Sequence, residues 1–510
     1  MQRTTLRTRP PAWQALALVA LATTASAHDR DKPATPPAPL PCASLAGQAM
    51  GGAVIGSAVA VPASATVAAH CKVSGLIAPK LNFELRLPQT WNRKLHYGGG
   101  GGYNGIIPPA NAPAVNQGYA QVSSDSGHQG SPLDASFALN DPLAAELFGS
   151  QSVPTVMAAA REITQAFYRG RIQRSYFEGC SNGGREALIQ AQRHPHLFDG
   201  IISRAPAYNW VGIMGAFNRT AKALAAPGGA FTQGKLDSLS QAVMQACDAD
   251  DGLADGVVSN PRACHFNPAV LRCAGGTEGG DSCLSDAQLA TLASWTDPAS
   301  FGGGAYRNSG WPISGNENVP GAWSTWVTGA TALQFLFQDT TVKNYLARDP
   351  AANSLTYDFD SNPAALARLE ALNSAVNPNL HHFVGGGGKL ILWHGTNDSA
   401  LSYRSTLDYM RQVQRAMGGK HNAEHFLRTY LAPGVNHCAG GPGADTVDLL
   451  SALDRWVTRG KAPETLTASK LDPSTGATVL QRPLCVYPEV PRYKGKGDVN
   501  SASSFRCDEP

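Results

Sequence analysis

Short apolar runs alternate with a longer helix-forming stretch between Cys71 and Ala207. Each run has the length and composition of a β-strand, and turn residues separate the runs. This alternation predicts an α/β protein with a doubly wound sheet. The apolar runs are LNFELRLP (81–88), KLHYGGG (94–100), YAQVSSDSGH (119–128) and GIISRAPA (200–207), and the helical stretch is VPTVMAAAREITQAFYRG (153–170).

The alternation fades after residue 208 and resumes at Lys389. A chain of 510 residues exceeds what one compact core usually holds, which favours an insertion or a second domain. We therefore predict a core domain over 42–208 and 382–510, and an inserted lid domain over 209–381. Its tryptophans suit a flat apolar ligand, but most of them could simply form the lid's own core. They are Trp210, Trp295, Trp311, Trp323 and Trp326.

A tight turn bounded by glycines joins a β-prone run to a helix-forming segment in SYFEGCSNGGREA (175–187). Within it, GCSNG fits the G-x-S-x-G nucleophile elbow of α/β-hydrolases, which lifts Ser181 out of the sheet. The backbone N–H of Asn182, at the start of the helix, would face an oxyanion. The next residues of this helix, Arg185 and Glu186, are predicted to serve packing and salt bridges.

An acid and a histidine follow the serine in the order that this fold requires. Asp398 follows the apolar run 389–393, and His437 follows the apolar run 426–431. Asp125 and His128 form another acid and histidine pair, but they precede the serine. The chain order therefore favours Ser181, Asp398 and His437 as a catalytic triad.

Cysteines flank two members of this predicted triad. Cys180 precedes the serine and Cys438 follows the histidine, so a disulfide between them would hold nucleophile and base together. The chain has ten cysteines in all, which indicates five disulfides in an oxidising compartment. Sequence alone does not fix the connectivity.

The first residues have the features of a targeting segment. Arginines precede an apolar run, Ala15–Ala22, and the small residues 25–27 offer a cleavage site. We predict a signal peptide over 1–27, a flexible leader over 28–41, and a secreted or periplasmic protein without a membrane anchor. The net charge of +3 and the lack of a dense basic run give no indication of nucleic acid binding.

Several blocks of the sequence resemble the tannase and feruloyl esterase family, in particular its bacterial branch. In this family two linked cysteines adjoin the catalytic serine and histidine. The resemblance runs from about Cys42 to Cys507 and implies the disulfides Cys42–Cys71, Cys180–Cys438, Cys247–Cys264, Cys273–Cys283 and Cys485–Cys507. The blocks that carry it are GGGGGYNG, GCSNGGREA, CDADDGLADGVV, HGTNDSA, PGVNHCAGGPG and RPLCVYPEVPRYKGKGDVN.

The acidic block CDADDGLADGVV lies inside the predicted lid. Crowded carboxylates are relieved by solvent or by a hard cation, and the spacing excludes an EF-hand. A solvated acidic turn is the simpler interpretation. The resemblance implies a structural calcium ion held by the carboxylates of Asp248, Asp251 and Asp255 and by the backbone carbonyls of Leu253 and Val257.

The resemblance also implies the substrate class, which is esters of aromatic acids such as gallates, hydroxycinnamates or terephthalate monoesters. The backbone N–H of Gly102, in the glycine run, would supply the second oxyanion donor. The alternative is that this glycine run is a flexible linker. No arginine follows Trp326 before Arg348, and a terephthalate carboxylate is best bound by arginine. We therefore expect the substrate to be a small aromatic ester with a neutral or phenolic acyl group. The alternatives are a terephthalate monoesterase, an acetyl esterase, and a secreted binding protein without activity. The residues implied to line the pocket are Trp210, Trp326, His394, Ala400 and Leu401.

Overall fold

A ten-stranded mixed sheet organises the part of the chain that the structure describes, residues 38–329 and 331–509 of a computed structural model. Its strand order is β1-β2-β3-β4-β6-β5-β7-β8-β11-β12. The strands of the described chain are β1 (Ala49–Met50), β2 (Ala53–Val61), β3 (His70–Ile77), β4 (Leu81–Pro88), β5 (Lys94–Gly98), β6 (Ala120–Ser124), β7 (Arg174–Cys180), β8 (Gly200–Arg204), β9 (Ala299–Phe301), β10 (Tyr306–Asn308), β11 (Lys389–Gly395), β12 (Leu427–Ala432), β13 (Leu466–Leu471), β14 (Thr478–Leu484), β15 (Val490–Tyr493) and β16 (Phe505–Asp508).

The direction of the strands changes once across this sheet. The strands from β1 to β4, and the pair β4–β6, run antiparallel, whereas β6, β5, β7, β8, β11 and β12 are parallel neighbours. The parallel strands are mostly buried because both of their faces are covered; residues 390–393 of β11, for example, form a continuous apolar run that is fully buried. This arrangement is the α/β-hydrolase fold that the sequence predicts.

Helices cover both faces of the sheet. Helices α4, α5 and α13 pack into the apolar core on one face, and α1 and α15 pack into the core on the other. The α-helices of the described chain are α1 (Ala112–Asn116), α2 (Phe137–Asn140), α3 (Pro142–Glu146), α4 (Ser152–Tyr168), α5 (Asn182–Arg193), α6 (Trp210–Ala225), α7 (Gln233–Cys247), α8 (Asp286–Thr296), α9 (Trp323–Trp326), α10 (Leu333–Thr341), α11 (Pro363–Asn373), α12 (His381–Gly385), α13 (Tyr403–Ala416), α14 (Lys420–Ala423) and α15 (Leu449–Arg459).

A mostly helical insertion, residues 205–388, connects β8 to β11 and contains helices α6 to α12. It has an apolar core of its own, in which Trp311 stacks on Trp295 with ring centroids 5.5 Å apart and Trp323 meets Trp295 edge-on at 4.8 Å. These three tryptophans therefore serve the core of the insertion. The residues from 39 onward nevertheless form one compact unit, and the predicted lid boundaries stay a prediction.

The predicted strands over 81–88, 94–100, 119–128, 200–207, 389–393 and 426–431 coincide with β4, β5, β6, β8, β11 and β12. Strands β1 to β3, the short strands β9 and β10 of the insertion, and the C-terminal strands β13 to β16 were not expected. The predicted signal peptide, 1–27, and most of the predicted leader, 28–41, lie outside the described residues. Within the described residues, none of the helices is long and apolar enough to cross a membrane.

All ten cysteines lie in the described residues and pair into the five disulfides that the resemblance implies. Four of these close local loops of 29 residues or fewer. Cys180–Cys438 instead joins residues 258 positions apart. That bridge connects the end of β7 to the loop after β12, so it links two segments at the same edge of the sheet.

Candidate active site

Ser181 lies at a sharp turn between β7 and α5. Its backbone has φ 63° and ψ −121°, a region that residues with a side chain rarely adopt. Two glycines make the turn possible, because a Cβ atom on Gly179 would lie 2.5 Å from the backbone of Gly183. The sequence GCSNG therefore forms the strand-turn-helix geometry that a nucleophile elbow requires.

Asp398 and His437 meet at the carboxyl ends of β11 and β12. The Nδ1 atom of His437 lies 2.8 Å from Oδ2 of Asp398, so its N–H can donate there and leave Nε2 free to accept a proton. Burial alone would raise the pKa of Asp398, but the imidazoles of His437 and His394 hold that pKa well below its usual range. The carboxylate is therefore charged at neutral pH and orients His437.

His394 lies behind Asp398 and not on the substrate cavity where the resemblance placed it. It is fully buried, and its Nε2 lies 3.1 Å from Oδ2 of Asp398 and 2.9 Å from the carbonyl oxygen of Leu401. The backbone N–H groups of Ala400 and Leu401 donate to the other carboxylate oxygen, each at 2.8 Å. Asp398 is thus held from every side by neighbouring donors, and His394 contributes to that shell.

The disulfide Cys180–Cys438 joins the residue before Ser181 to the residue after His437, with the two Cα atoms 5.9 Å apart. Cys438 also has a positive φ of 66°, so the chain on both sides of the bridge adopts conformations that isolated residues avoid. The bridge keeps the two loops together and supports these conformations.

The glycine run after β5 passes directly over the start of α5. A Cβ atom on Gly99 would lie 2.8 Å from the Cα atom of Gly183, so side chains are excluded from both segments at this crossing. Gly102 has a φ of 55°, and a Cβ atom there would lie 2.2 Å from the carbonyl oxygen of Pro132. The glycines thus bring the backbone of this loop close to Ser181.

Glu186 connects the glycine run to the elbow helix. Its fully enclosed carboxylate accepts hydrogen bonds from the N–H of Gly100 at 3.0 Å and from the side-chain amides of Asn104 and Asn182, each at 3.2 Å. Burial raises the pKa of Glu186, and Arg185 and these donors oppose the rise. This network could not be predicted from sequence, because Asn104 and Gly100 are more than 80 positions from Glu186.

Arg185 is fully buried, and within the described residues it packs as predicted but bonds to an amide oxygen and to backbone carbonyls, not to a carboxylate. Its Nε donates to Oδ1 of Asn182 at 2.6 Å. Its terminal nitrogens donate to the backbone carbonyls of Phe148, Gly149 and Asn373, at 2.8 to 3.0 Å. The guanidinium therefore connects the elbow helix to the insertion.

A small cavity of about 30 Å³, here called the Ser181 cavity, opens beside the serine. It brings together both predicted oxyanion residues and four of the five predicted pocket residues. Apart from Ser181 and Asn182, its walls are glycine or apolar, and arginine is not among these described lining residues. The cavity is lined by Gly102, Ser181, Asn182, Ala207, Trp210, Ile213, Met214, Phe217, Trp326, Phe337, Ala400 and Leu401.

Several lining residues were missed by sequence reasoning, although a signal for them exists. Trp210, Ile213, Met214 and Phe217 follow the i, i+3, i+4, i+7 spacing of one helical face. Once Trp210 was predicted to line the pocket, this spacing implied the other three. The Trp326 ring, with its centroid 4.9 Å from that of His437, closes the cavity beside the imidazole.

The acidic loop lies away from the Ser181 cavity, and its carboxylates do not converge. Asp248 accepts hydrogen bonds from the N–H groups of Gly256 and Val257, and Asp255 pairs with Arg482 at 2.6 Å. Asp251 is buried and accepts a bond from the N–H of Leu253. Across residues 38–329 and 331–509, no three Asp, Glu, His or Cys side chains are arranged to hold a metal.

The chain is similar in sequence to known esterases. The family model of tannase and feruloyl esterase matches residues 65–508, which is most of the chain. The chain belongs to the tannase and feruloyl esterase family. Tannase-family relatives include mono(2-hydroxyethyl) terephthalate hydrolase of Piscinibacter sakaiensis, 34% identical with 88% of this chain and 87% of the relative covered. A probable feruloyl esterase of Arthroderma benhamiae is 32% identical, with 83% and 81% covered.

Solved structures of the tannase and feruloyl esterase family share the fold. Feruloyl esterase B from Aspergillus oryzae superposes with a TM-score of 0.82 at 24% identity, over 92% of this chain and 99% of that one. Tannin acyl hydrolase from Aspergillus niger gives 0.73 at 20% identity, over 90% and 92%. Together, the family match and the esterase relatives establish the chain as a carboxylic ester hydrolase.

Proposed function

We propose that the protein is a secreted serine esterase that cleaves esters of phenolic aromatic acids through an acyl-enzyme. The observation that carries this proposal is the Ser181 cavity, in which the elbow serine faces aromatic walls beside the Asp398–His437 pair. Such walls bind a flat ring, and the serine beside them can attack an ester carbonyl.

The reaction begins when Nε2 of His437 takes the proton of Ser181 and Oγ attacks the carbonyl carbon. The N–H groups of Gly102 and Asn182 stabilise the resulting oxyanion. The imidazolium, whose charge Asp398 stabilises, then protonates the alcohol oxygen as the ester bond breaks. Water, deprotonated by His437, releases the acid from Ser181 in the second half of the reaction.

The neutral lining of the Ser181 cavity favours a phenolic or unsubstituted aromatic acyl group. A terephthalate monoester carries a free carboxylate, whose burial without a cationic partner costs several kcal/mol or more. The fully buried Arg185 does not provide that partner, because it does not line the cavity and four of its five N–H donors are already used by Asn182 and three backbone carbonyls. Feruloyl, other hydroxycinnamoyl and galloyl esters therefore fit better.

A structural calcium ion in the insertion is part of the proposal. The residue types suit a hard cation, because three carboxylates lie within eight residues and the Cys247–Cys264 bridge restrains their loop, but to bind it the carboxylates would have to turn toward one another and Asp255 away from Arg482. Asp251 is buried there with two other carboxylates nearby, and a cation would offset their repulsion. Asp248, Asp251, Asp255 and the carbonyls of Leu253 and Val257 would hold it, and its contribution would be to order this loop.

Export to the periplasm or the cell exterior completes the proposal. Five disulfides and no free cysteine are typical of proteins that mature in an oxidising compartment. The N-terminal segment has the pattern of a cleaved signal.

Parallel rate measurements test the proposed function. Initial rates on methyl ferulate, methyl gallate, mono(2-hydroxyethyl) terephthalate and p-nitrophenyl acetate are compared for the wild type and Ser181→Ala, with a fluorophosphonate probe as a direct label of the serine. We expect a preference for the phenolic esters, labelling of the wild type only, and no turnover by Ser181→Ala. Hydrolysis of the acetate alone would refute the aromatic substrate, and activity in Ser181→Ala would refute the nucleophile.

A further inference from the structure

A second and larger cavity lies in the insertion next to the Ser181 cavity. This distal cavity has a volume of about 370 Å³, compared with about 30 Å³ for the Ser181 cavity. Binding pockets for small organic ligands usually measure about 300–1,000 Å³. In this structure the Ser181 cavity has room for one or two water molecules, so an aromatic ring bound against its walls needs further space, and the distal cavity has the required size.

The same three segments line both cavities. On helix α6, the face formed by Trp210, Ile213, Met214 and Phe217 continues through Ala221 to Leu224 along the wall of the distal cavity. On α10, Phe337 lines the first cavity and Gln334, one turn away, lines the second. At the end of α9, Trp326 lines the Ser181 cavity and the next residue, Val327, lines the distal cavity. The two cavities are therefore consecutive along one path between α6 and α10.

Phe217 is the residue that belongs to both linings. Its ring is buried and packs on Trp311, with the ring centroids 6.0 Å apart. A phenylalanine in a helix has two commonly occupied χ1 rotamers, and a change from one to the other would move the ring off the boundary without movement of the backbone. A change of rotamer at this one position would join the two volumes.

We propose that the distal cavity is the outer compartment of the acyl-binding site and that Phe217 is the partition that controls access to it. This inference rests on the proposed function. The acyl side is assigned because the alcohol must leave next to Nε2 of His437, and His437 is not among the residues that line the Ser181 cavity. The ligand is an acyl group with an aromatic ring separated from the carbonyl by a short spacer.

One polar side chain that lines the distal cavity, Gln334, refines this ligand. Gln334 is buried, and its Nε2 donates to the carbonyl oxygen of Ser399 at 2.8 Å, which fixes the orientation of the amide. Its Oε1 accepts no hydrogen bond from the described residues. A buried acceptor without a donor is costly, and a ring hydroxyl would satisfy it. The compartment thus favours a ring that carries a hydrogen-bond donor.

The test uses p-nitrophenyl esters that share one alcohol and differ in the acyl group: acetate, 3-phenylpropanoate and 3-(4-hydroxyphenyl)propanoate. The readout is the ratio of kcat/KM for a ring-bearing ester to that for acetate. We expect Phe217→Ala to raise this ratio about tenfold, the discrimination that a change of pocket size commonly gives. Phe217→Leu should raise it less, and Ala221→Phe, which fills the distal cavity, should lower it.

Phe359→Ala is the matched control, because Phe359 is a buried phenylalanine of the same insertion and lines neither cavity. Its ratio should equal that of the wild type. Ratios that stay within twofold of the wild type in Phe217→Leu and Ala221→Phe, while Ser181-dependent acetate hydrolysis persists, would overturn the partition alone. If the wild type showed no Ser181-dependent hydrolysis of any of these esters, the proposed function on which the partition rests would be overturned.

The hydroxylated ester tests the role of Gln334. The wild type should prefer it over the 3-phenylpropanoate ester, and Gln334→Leu should abolish that preference. An equal preference in both proteins would overturn the assignment of the acceptor.

Discussion

Removal of the Cys180–Cys438 bridge should affect both stability and catalysis, and the structure gives the size of the first effect. In the chain-entropy description, a disulfide stabilises by closing a loop in the unfolded chain, in proportion to 1.5RT times the logarithm of the loop length. Loops of 258 and 10 residues, for Cys180–Cys438 and Cys273–Cys283, differ by about 3 kcal/mol on this basis. The double alanine variant at 180 and 438 should therefore lose about 3 kcal/mol more unfolding free energy than the variant at 273 and 283.

The same pair of variants separates a catalytic effect from a general loss of stability. The bridge fixes the residues next to Ser181 and His437, and a displacement of about 1 Å between reacting groups can reduce the rate about 100-fold. We expect a 10- to 100-fold lower kcat on p-nitrophenyl acetate in the first variant and an unchanged kcat in the second. Urea unfolding and steady-state kinetics measure the two effects. Equal losses of stability together with wild-type kcat in both variants would refute this reasoning.

Three further perturbations follow from the site and its surroundings. Glu186→Gln replaces one of two accepting oxygens by an NH2 group, which then faces either the N–H of Gly100 or the amides of Asn104 and Asn182, so kcat should fall by roughly tenfold with little change in KM, as steady-state kinetics will show. The pKa of Glu178, which burial alone would raise, is lowered from 4.5 to about 2, chiefly by Arg204. A lowered pKa stabilises the folded state at pH values above the pKa that the group has in the unfolded chain. Glu178→Gln should therefore lower the free energy of unfolding by about 3 kcal/mol near neutral pH, and by progressively less as the pH falls toward about 2. Urea titrations at both pH values will measure this difference. A chelator should lower the Tm, added calcium should restore it, and Asp251→Asn should remove this response. A Tm that does not change with calcium would contradict the proposed ion.

Local sequence signals were sufficient where an element is defined by its own residues. The continuous apolar runs of β11 and β12 and the glycine-bounded elbow are examples, and they placed Ser181, Asp398 and His437 at the ends of the correct strands. Strand β2 was missed because one of its faces is exposed, with Val54 and Val59 each 57% accessible, and small residues fill much of the rest. Its pattern resembles that of an irregular segment.

Contacts between distant segments could not be read in this way. The position of His394 behind Asp398 depends on the conformation of the loop that follows β11, where the carbonyl of Leu401 also accepts from its ring. The Glu186 network depends on the approach of the glycine run to α5, which is decided by the packing of β5 beside β7. The calcium ligands were implied by a family block, and the sequence did not indicate that Asp255 would pair with Arg482.

The bonds of Arg185 determine how the insertion can move. Because its guanidinium binds a carbonyl of Asn373 as well as Asn182 of the elbow helix, the insertion cannot swing away as a hinged body without exposing a buried charge. A second hydrogen bond, from the side chain of Gln334 to the loop after Asp398, also holds the insertion to the core. Core and insertion should therefore unfold in a single transition, and substrates should enter through rearrangement of side chains at a fixed opening.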